Sequence, residues 1–135
     1  MNAQNKNEYM LLFIGTDWSK SLSPEQMQQV AGQWMAWFKG LMEQGKVTAG
    51  SPLERAGKVI AGKNGRVVSD GPFAESKEAI GGYFLLQVDT MDEAVEIARQ
   101  CPGLPYGVKV EVRQVMEQCR LSQELKESQL AEAVA

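Results

Sequence analysis

Asp70-Gly71-Pro72-Phe73 runs on through Ala74-Glu75-Ser76-Lys77-Glu78 to Gly81-Gly82-Tyr83, so one short stretch holds a carboxylate, an ammonium and a phenol. Such a set can do acid–base or binding chemistry. Asp70 is the candidate catalytic residue: at the end of a strand, in the mouth of a sheet-lined cavity, burial would raise its pKa and make it a general base. Lys77 can hold Asp70 ionised or bind an anionic ligand. Tyr83 can donate its hydroxyl hydrogen to a ligand, and Asp17, beside Trp18, can rim the same pocket. Each also has a plain structural explanation. Asp-Gly-Pro is turn chemistry, in which Asp bonds nearby backbone N–H groups, Gly frees φ and Pro fixes the exit. Glu75, Lys77 and Glu78 make an ordinary solvated loop, and Tyr83 an ordinary core residue.

The chain contains no histidine. Without it there is no Ser-His-Asp or Cys-His activation of a nucleophile and no His-ligated zinc or iron centre. Acid–base work would fall to carboxylates, Lys, Tyr or Cys with shifted pKa values. The two cysteines, Cys101 and Cys119, form no C-x-x-C and make a poor metal site alone. No metal and no cofactor is expected. Gly81-Gly82 is not a phosphate loop, because neither GxxxxGK nor GxGxxG surrounds it. It reads instead as a place of close backbone approach or an unusual turn.

The 135 residues fit one domain, and 44% hydrophobic content is ordinary for a globular chain. Net charge is −3 with Lys and Arg scattered, which argues against a nucleic-acid surface and fits an anionic membrane poorly. The polar segment 1–8 lacks an apolar signal core, and no apolar run approaches the roughly 18 residues of a membrane span. Two reduced thiols fit a reducing compartment, so a cytoplasmic protein is expected.

The elements that would position these residues are legible in outline. Tyr9 to Ile14 is a strand with apolar residues on both faces. Ser23-Pro24-Glu25-Gln26 opens a helix as a capping box with Pro at the first position. Met27, Val30, Ala31, Trp34, Trp37, Phe38, Leu41 and Met42 form its apolar face, and Gly45 stops it. The Trp34, Trp37 and Phe38 rings read as core, with an aromatic ligand box as the alternative. Val47 to Gly50 is a short strand interrupted by Pro52. Asn64-Gly65 between Lys58–Ala61 and Arg66–Val68 predicts a hairpin, and 73–79 a loop with at most one helical turn. Tyr83 to Val88 is another two-faced strand. Thr90 and Glu93 cap a second helix that Pro102 ends. Val108, Val110 and Val112 alternate with charges, as in a strand near an edge.

This order predicts an α+β fold: a ferredoxin-like split βαβ with an inserted β-hairpin. The divisions are 1–8 as a disordered or extended N-terminus, 9–115 as the domain, and 116–135 as a polar, helical or frayed tail. Two helices cover one sheet face only. Leu11 and Phe13 point opposite to Met10, Leu12 and Ile14, and Tyr83 and Leu85 opposite to Phe84 and Leu86. A monomer would leave one apolar face in water, which predicts a homodimer through the uncovered face.

The stretch from Val67 to Phe84 resembles the signature of the DGPF group of YCII-related proteins. Tyr9-Met10-Leu11-Leu12, Asp89 to Ala98 and Tyr106 to Arg113 also resemble it, so the likeness covers about residues 9–115. The resemblance implies a dimeric α+β-barrel fold. In that wider group a His–Asp pair has been proposed as an active site, and one relative is a dehydrochlorinase of a chlorinated aromatic. Asp70 matches the Asp of that pair, and the His has no counterpart here. Some DGPF proteins are associated with extracytoplasmic-function sigma factors, which implies regulation instead.

Three functions follow as expectations. One is a metal-free enzyme acting on a small organic molecule, with Asp70 as acid/base and Tyr83 and Lys77 orienting the substrate. Another is a ligand-binding or regulatory dimer without turnover. The third is an interaction protein that docks through the tail from Leu121 to Val134.

Overall fold

The structure, a computed structural model, describes residues 7–72, 78–117 and 119–134. Residues 73–77 of the expected loop, Glu75 and Lys77 among them, lie outside the described residues. Strand β1 (Asn7–Ile14) leads to helix α1 (Pro24–Glu43) and strand β2 (Val47–Pro52). Strands β3 (Gly57–Ala61) and β4 (Val67–Gly71) form the hairpin. Strand β5 (Ile80–Val88), helix α2 (Met91–Ala98), strand β6 (Lys109–Gln114) and helix α3 (Arg120–Val134) complete the chain.

The main sheet has the order β2-β5-β1-β6 and is antiparallel throughout. This is the expected ferredoxin-like α+β fold, with β3 and β4 inserted as a separate two-stranded sheet. Alternation along β1 buries Tyr9, Leu11 and Phe13, while Met10, Leu12 and Ile14 on the other face stay half-buried. On β5, Phe84, Leu86 and Val88 join the buried side. Leu41 of α1 and Ala94, Ile97 and Ala98 of α2 complete one core with them, so both helices cover the same face. The charges of β6 pair with the other face, Lys109 opposite Ile14 and Glu111 opposite Leu12.

Local signals explain the boundaries. Ser23 Oγ accepts from the Gln26 backbone N–H at 3.2 Å, and Gln26 Oε1 accepts from the Ser23 N–H at 2.9 Å. That is the reciprocal capping box, with Pro24 at the first helical position. Gly45, at φ 71°, takes the left-handed conformation that lets the chain leave α1. Thr90 Oγ1 accepts from Glu93 N–H at 3.1 Å and starts α2. That helix ends at Ala98, ahead of Pro102.

Four details differ from the sequence reading. β1 begins at Asn7, earlier than Tyr9. β2 runs through Pro52, which pairs with Gly82; an edge strand tolerates proline because one side of its ladder is free. Gly81-Gly82 lies inside β5 and makes no turn. The apolar face of α1 is wider than the sheet covers: Val30 and Leu41 are buried, but Met27 and Met42 are exposed.

Candidate functional site

Where α1 crosses one end of the sheet, the packing leaves a cavity of about 550 Å³. Phe13 from β1 and Phe84 from β5 enter it from the sheet. Val30, Trp34 and Phe38 enter from α1, and Trp18 from the short 3-10 turn after β1. The rings contact one another edge to face: Phe13 and Trp34 at 4.8 Å and 85°, Phe13 and Phe84 at 4.9 Å and 84°. The α1 rings therefore do both things the sequence left open: they pack against the core, and Trp34 and Phe38 also wall a cavity.

Another part of the wall is glycine. A Cβ on Gly50 would stand 2.7 Å from Phe84 Cδ1 and 2.9 Å from Phe38 Cε1. One on Gly81 would come within 3.1 Å of the Gly15 carbonyl oxygen, and one on Gly82 within 3.0 Å of that of Ser51. These contacts realise the close backbone approach expected of Gly81-Gly82.

The wall carries little polarity. Among the described residues, none lining the cavity bears a charge, and its polar side chains come from Trp18, Ser19, Trp34, Ser51 and Tyr83. The indole N–H groups of Trp34 and Trp37 are buried without an acceptor. Tyr83 belongs to the wall, but strand alternation puts its ring on the face opposite Phe84, opposite Leu12 in the β1 register.

Asp70 lies elsewhere. It sits on β4 of the hairpin and its side chain is 88% exposed, so the burial expected of it is absent. Lys58, its partner across the hairpin, holds it in an ion pair. Asp70, Lys58 and Arg55 border a second, polar hollow of about 650 Å³, which Asp17 and Lys20 also line. Asp17 pairs with Lys20 at 3.4 Å. The structure thus brings Asp70 and Asp17 to one hollow, places Tyr83 at another, and leaves Lys77 outside the described residues. The chain segment after β1 divides the two. Gly15, Trp18 and Ser19 face the apolar cavity, while Thr16, Asp17 and Lys20 face the polar hollow.

The two cysteines are unpaired; Cys119 is exposed and Cys101 is buried. Burial pushes the Cys101 thiol above its ordinary value, against two weaker backbone hydrogen bonds. Among the described residues no three His, Cys, Asp or Glu side chains gather as a metal site. No helix among them is long and apolar enough to cross a membrane.

The model of the YCII-related domain matches residues 8–118. The chain belongs to the YCII-related family. This YCII-related chain is 33% identical over 89 residues to an uncharacterised protein of Rhizobium meliloti, covering 64% of its own length and 68% of that relative. Its fold is similar to the 5-chloro-2-hydroxyhydroquinone dehydrochlorinase TftG of Burkholderia phenoliruptrix, solved with 2,5-dihydroxybenzoquinone. That likeness has a TM-score of 0.43 and 13% identity over 82% of this chain and 95% of that one. A second similar structure comes from Arabidopsis thaliana, with a TM-score of 0.34 and 14% identity over 84% of this chain and 96% of that one.

The sequence offered little to locate the cavity of this YCII-related protein. Its walls come from β1, α1, β2, β5 and two connecting segments, and no local motif spans them. The signal that existed was the helical spacing of Met27, Ala31 and Met35, one turn apart along the cavity mouth.

Proposed function

We propose that this YCII-related protein binds a small organic molecule in the cavity between α1 and the sheet. The observation that carries this reading is an apolar, ring-lined space of about 550 Å³ between α1 and the sheet, beside the buried core. Ligand sites are commonly apolar concavities of roughly 300–1,000 Å³ with a few polar groups. The wall favours binding without turnover, because general acid–base catalysis needs a titratable side chain within reach of the substrate, and the ring of Tyr83, the titratable residue on this wall, lies on the opposite sheet face. A binding protein of this kind would suit a regulatory role, including one linked to a sigma factor. A screen of small organic compounds by amide chemical shifts tests it. Hits should move the signals of Gly50, Gly81 and Gly82; hits confined to other surfaces would overturn the reading.

A second reading has its own observation. Asp17 and Asp70 border one polar hollow with Lys58 and Arg55. Metal-free acid/base catalysis by Asp70 would take place there. Under this reading Asp70→Asn keeps the fold and abolishes turnover of a substrate; unchanged turnover would end it.

We also infer that a second copy of the chain covers the outer sheet face. Met10, Leu12, Ile14, Tyr83 and Leu85 form a contiguous apolar surface there, which isolated soluble domains rarely leave in water. The free thiols of Cys101 and Cys119 support a reducing, cytoplasmic setting.

A further inference from the structure

We infer that the ligand of the α1–sheet cavity is an uncharged molecule built on a planar aromatic ring. The inference rests on the reading that this cavity is a binding site, and it adds the chemical class.

Neutrality follows from the wall. Among the described residues, no Asp, Glu, Lys or Arg lines the cavity. Asp17 and Lys20, which flank the lining residues Trp18 and Ser19, face the other hollow and pair with each other, and Lys109, beside Val108, pairs with Glu78. An ionised group entering the ring-lined space would lose water and find no counter-charge, which disfavours binding strongly. A neutral hydroxyl or carbonyl loses far less, and the hydroxyls of Ser19 and Ser51 can each serve it as donor or acceptor.

The planar ring follows from how the walls are arranged. Phe13, Trp34 and Phe84 already meet at right angles, with Trp34 and Phe84 at 6.3 Å and 90°. Such a set offers ring edges and faces together, and a further ring can join it edge-to-face or offset-stacked. An alkyl chain gains contact area but none of this directional attraction. Across the cavity, Gly50 and Gly82 let the Phe84, Phe38 and Phe13 rings lie close against the strand backbone, so that rings form this wall too. Gly50 also fixes the size of the space. Any side chain there would push Phe84 and Phe38 from their places. At the mouth, Met27 and Met35 are exposed and flank Ala31. Unbranched methionines suit a lip that must adjust to rings of different outline.

Three probes of similar size separate the alternatives: 2-naphthalenemethanol, 2-naphthoate and 1-decanol. Titration is followed by tryptophan fluorescence and calorimetry, with the amides of Gly50, Gly81 and Gly82 reporting the place. The neutral naphthalene should bind at least about tenfold tighter than the naphthoate and the decanol. Ala31→Phe, which fills the mouth from an exposed helix position, should weaken it at least about tenfold without lowering the melting temperature. Naphthoate binding as tightly as the alcohol, or decanol binding tighter, would overturn the chemical class and leave the cavity reading standing. No binding of any probe, with those glycine amides unmoved, would overturn both.

Discussion

Lys58 and Asp70 face each other across the β3–β4 hairpin and form an ion pair in open solvent. Their side chains are 67% and 88% exposed, so water and salt screen the pair and its contribution is about 0–1 kcal/mol. Asp70→Ala should therefore change stability by less than about 1 kcal/mol. Urea denaturation checks this, and a loss near 2 kcal/mol, roughly the upper range for a capping residue, would show that the Asp-Gly-Pro turn depends on the carboxylate.

Leu12 lies at the centre of the outer sheet face, opposite Tyr83 on one side and Glu111 on the other. The wild-type chain should sediment as a dimer at micromolar concentration, and Leu12→Glu should sediment as a folded monomer. Buried like charges at a twofold interface disfavour association. A wild-type monomer, or a Leu12→Glu dimer, would place the interface elsewhere.

Ser23 starts the helix that forms one side of the cavity wall. Ser23→Ala removes the hydroxyl that accepts from Gln26 N–H and should lower stability by about 1 kcal/mol. The denaturation midpoint should fall with its slope unchanged. A shift under about 0.3 kcal/mol would mean that Pro24 and the helix packing fix the start without the cap.

Gly50 has no room for a side chain. Gly50→Ala should cost about 1–3 kcal/mol, because the Phe84 and Phe38 rings must shift. Near-ultraviolet circular dichroism, sensitive to those rings, should change as well. An unaltered spectrum with full stability would show that the rings yield freely.

Cys101 gives a pH test with a definite sign. Burial holds its thiol above the ordinary 9.0, so on raising pH the unfolded chain loses this proton first. The stability it contributes is complete below about pH 9 and disappears as pH climbs through the higher folded value. Between about pH 7.5 and about pH 10 the wild type should lose more stability than Cys101→Ala does. Equal losses would mean the folded thiol ionises as easily as the unfolded one.

The strands and helices were legible because burial imposes periods on the chain. Leu11 and Phe13 against Met10 and Leu12 gave β1 two apolar faces, and Asn64-Gly65 gave the hairpin. The family resemblance through residues 67–84 agreed with this topology, and the match over residues 8–118 settled the membership. The site was less legible. Asp70 stood out because polar turn residues are conspicuous in sequence, yet the hairpin carries it into solvent, apart from the apolar cavity. The cavity itself is made from ring edges and bare backbone. A glycine that shapes a wall looks in sequence like a glycine that shapes a turn, and only the register of Gly82 with Pro52 and Phe13 separates the two.

The glycine wall also limits how this protein can diversify. Gly81 and Gly82 press against the carbonyls of Gly15 and Ser51, so new side chains there would prise the strands apart. The opposite wall is under no such constraint. Met27, Ala31 and Met35 occupy successive turns of α1 and take little part in the core. A lineage could acquire a different molecule by rewriting one exposed helix stripe, while the sheet it folds around is inherited intact.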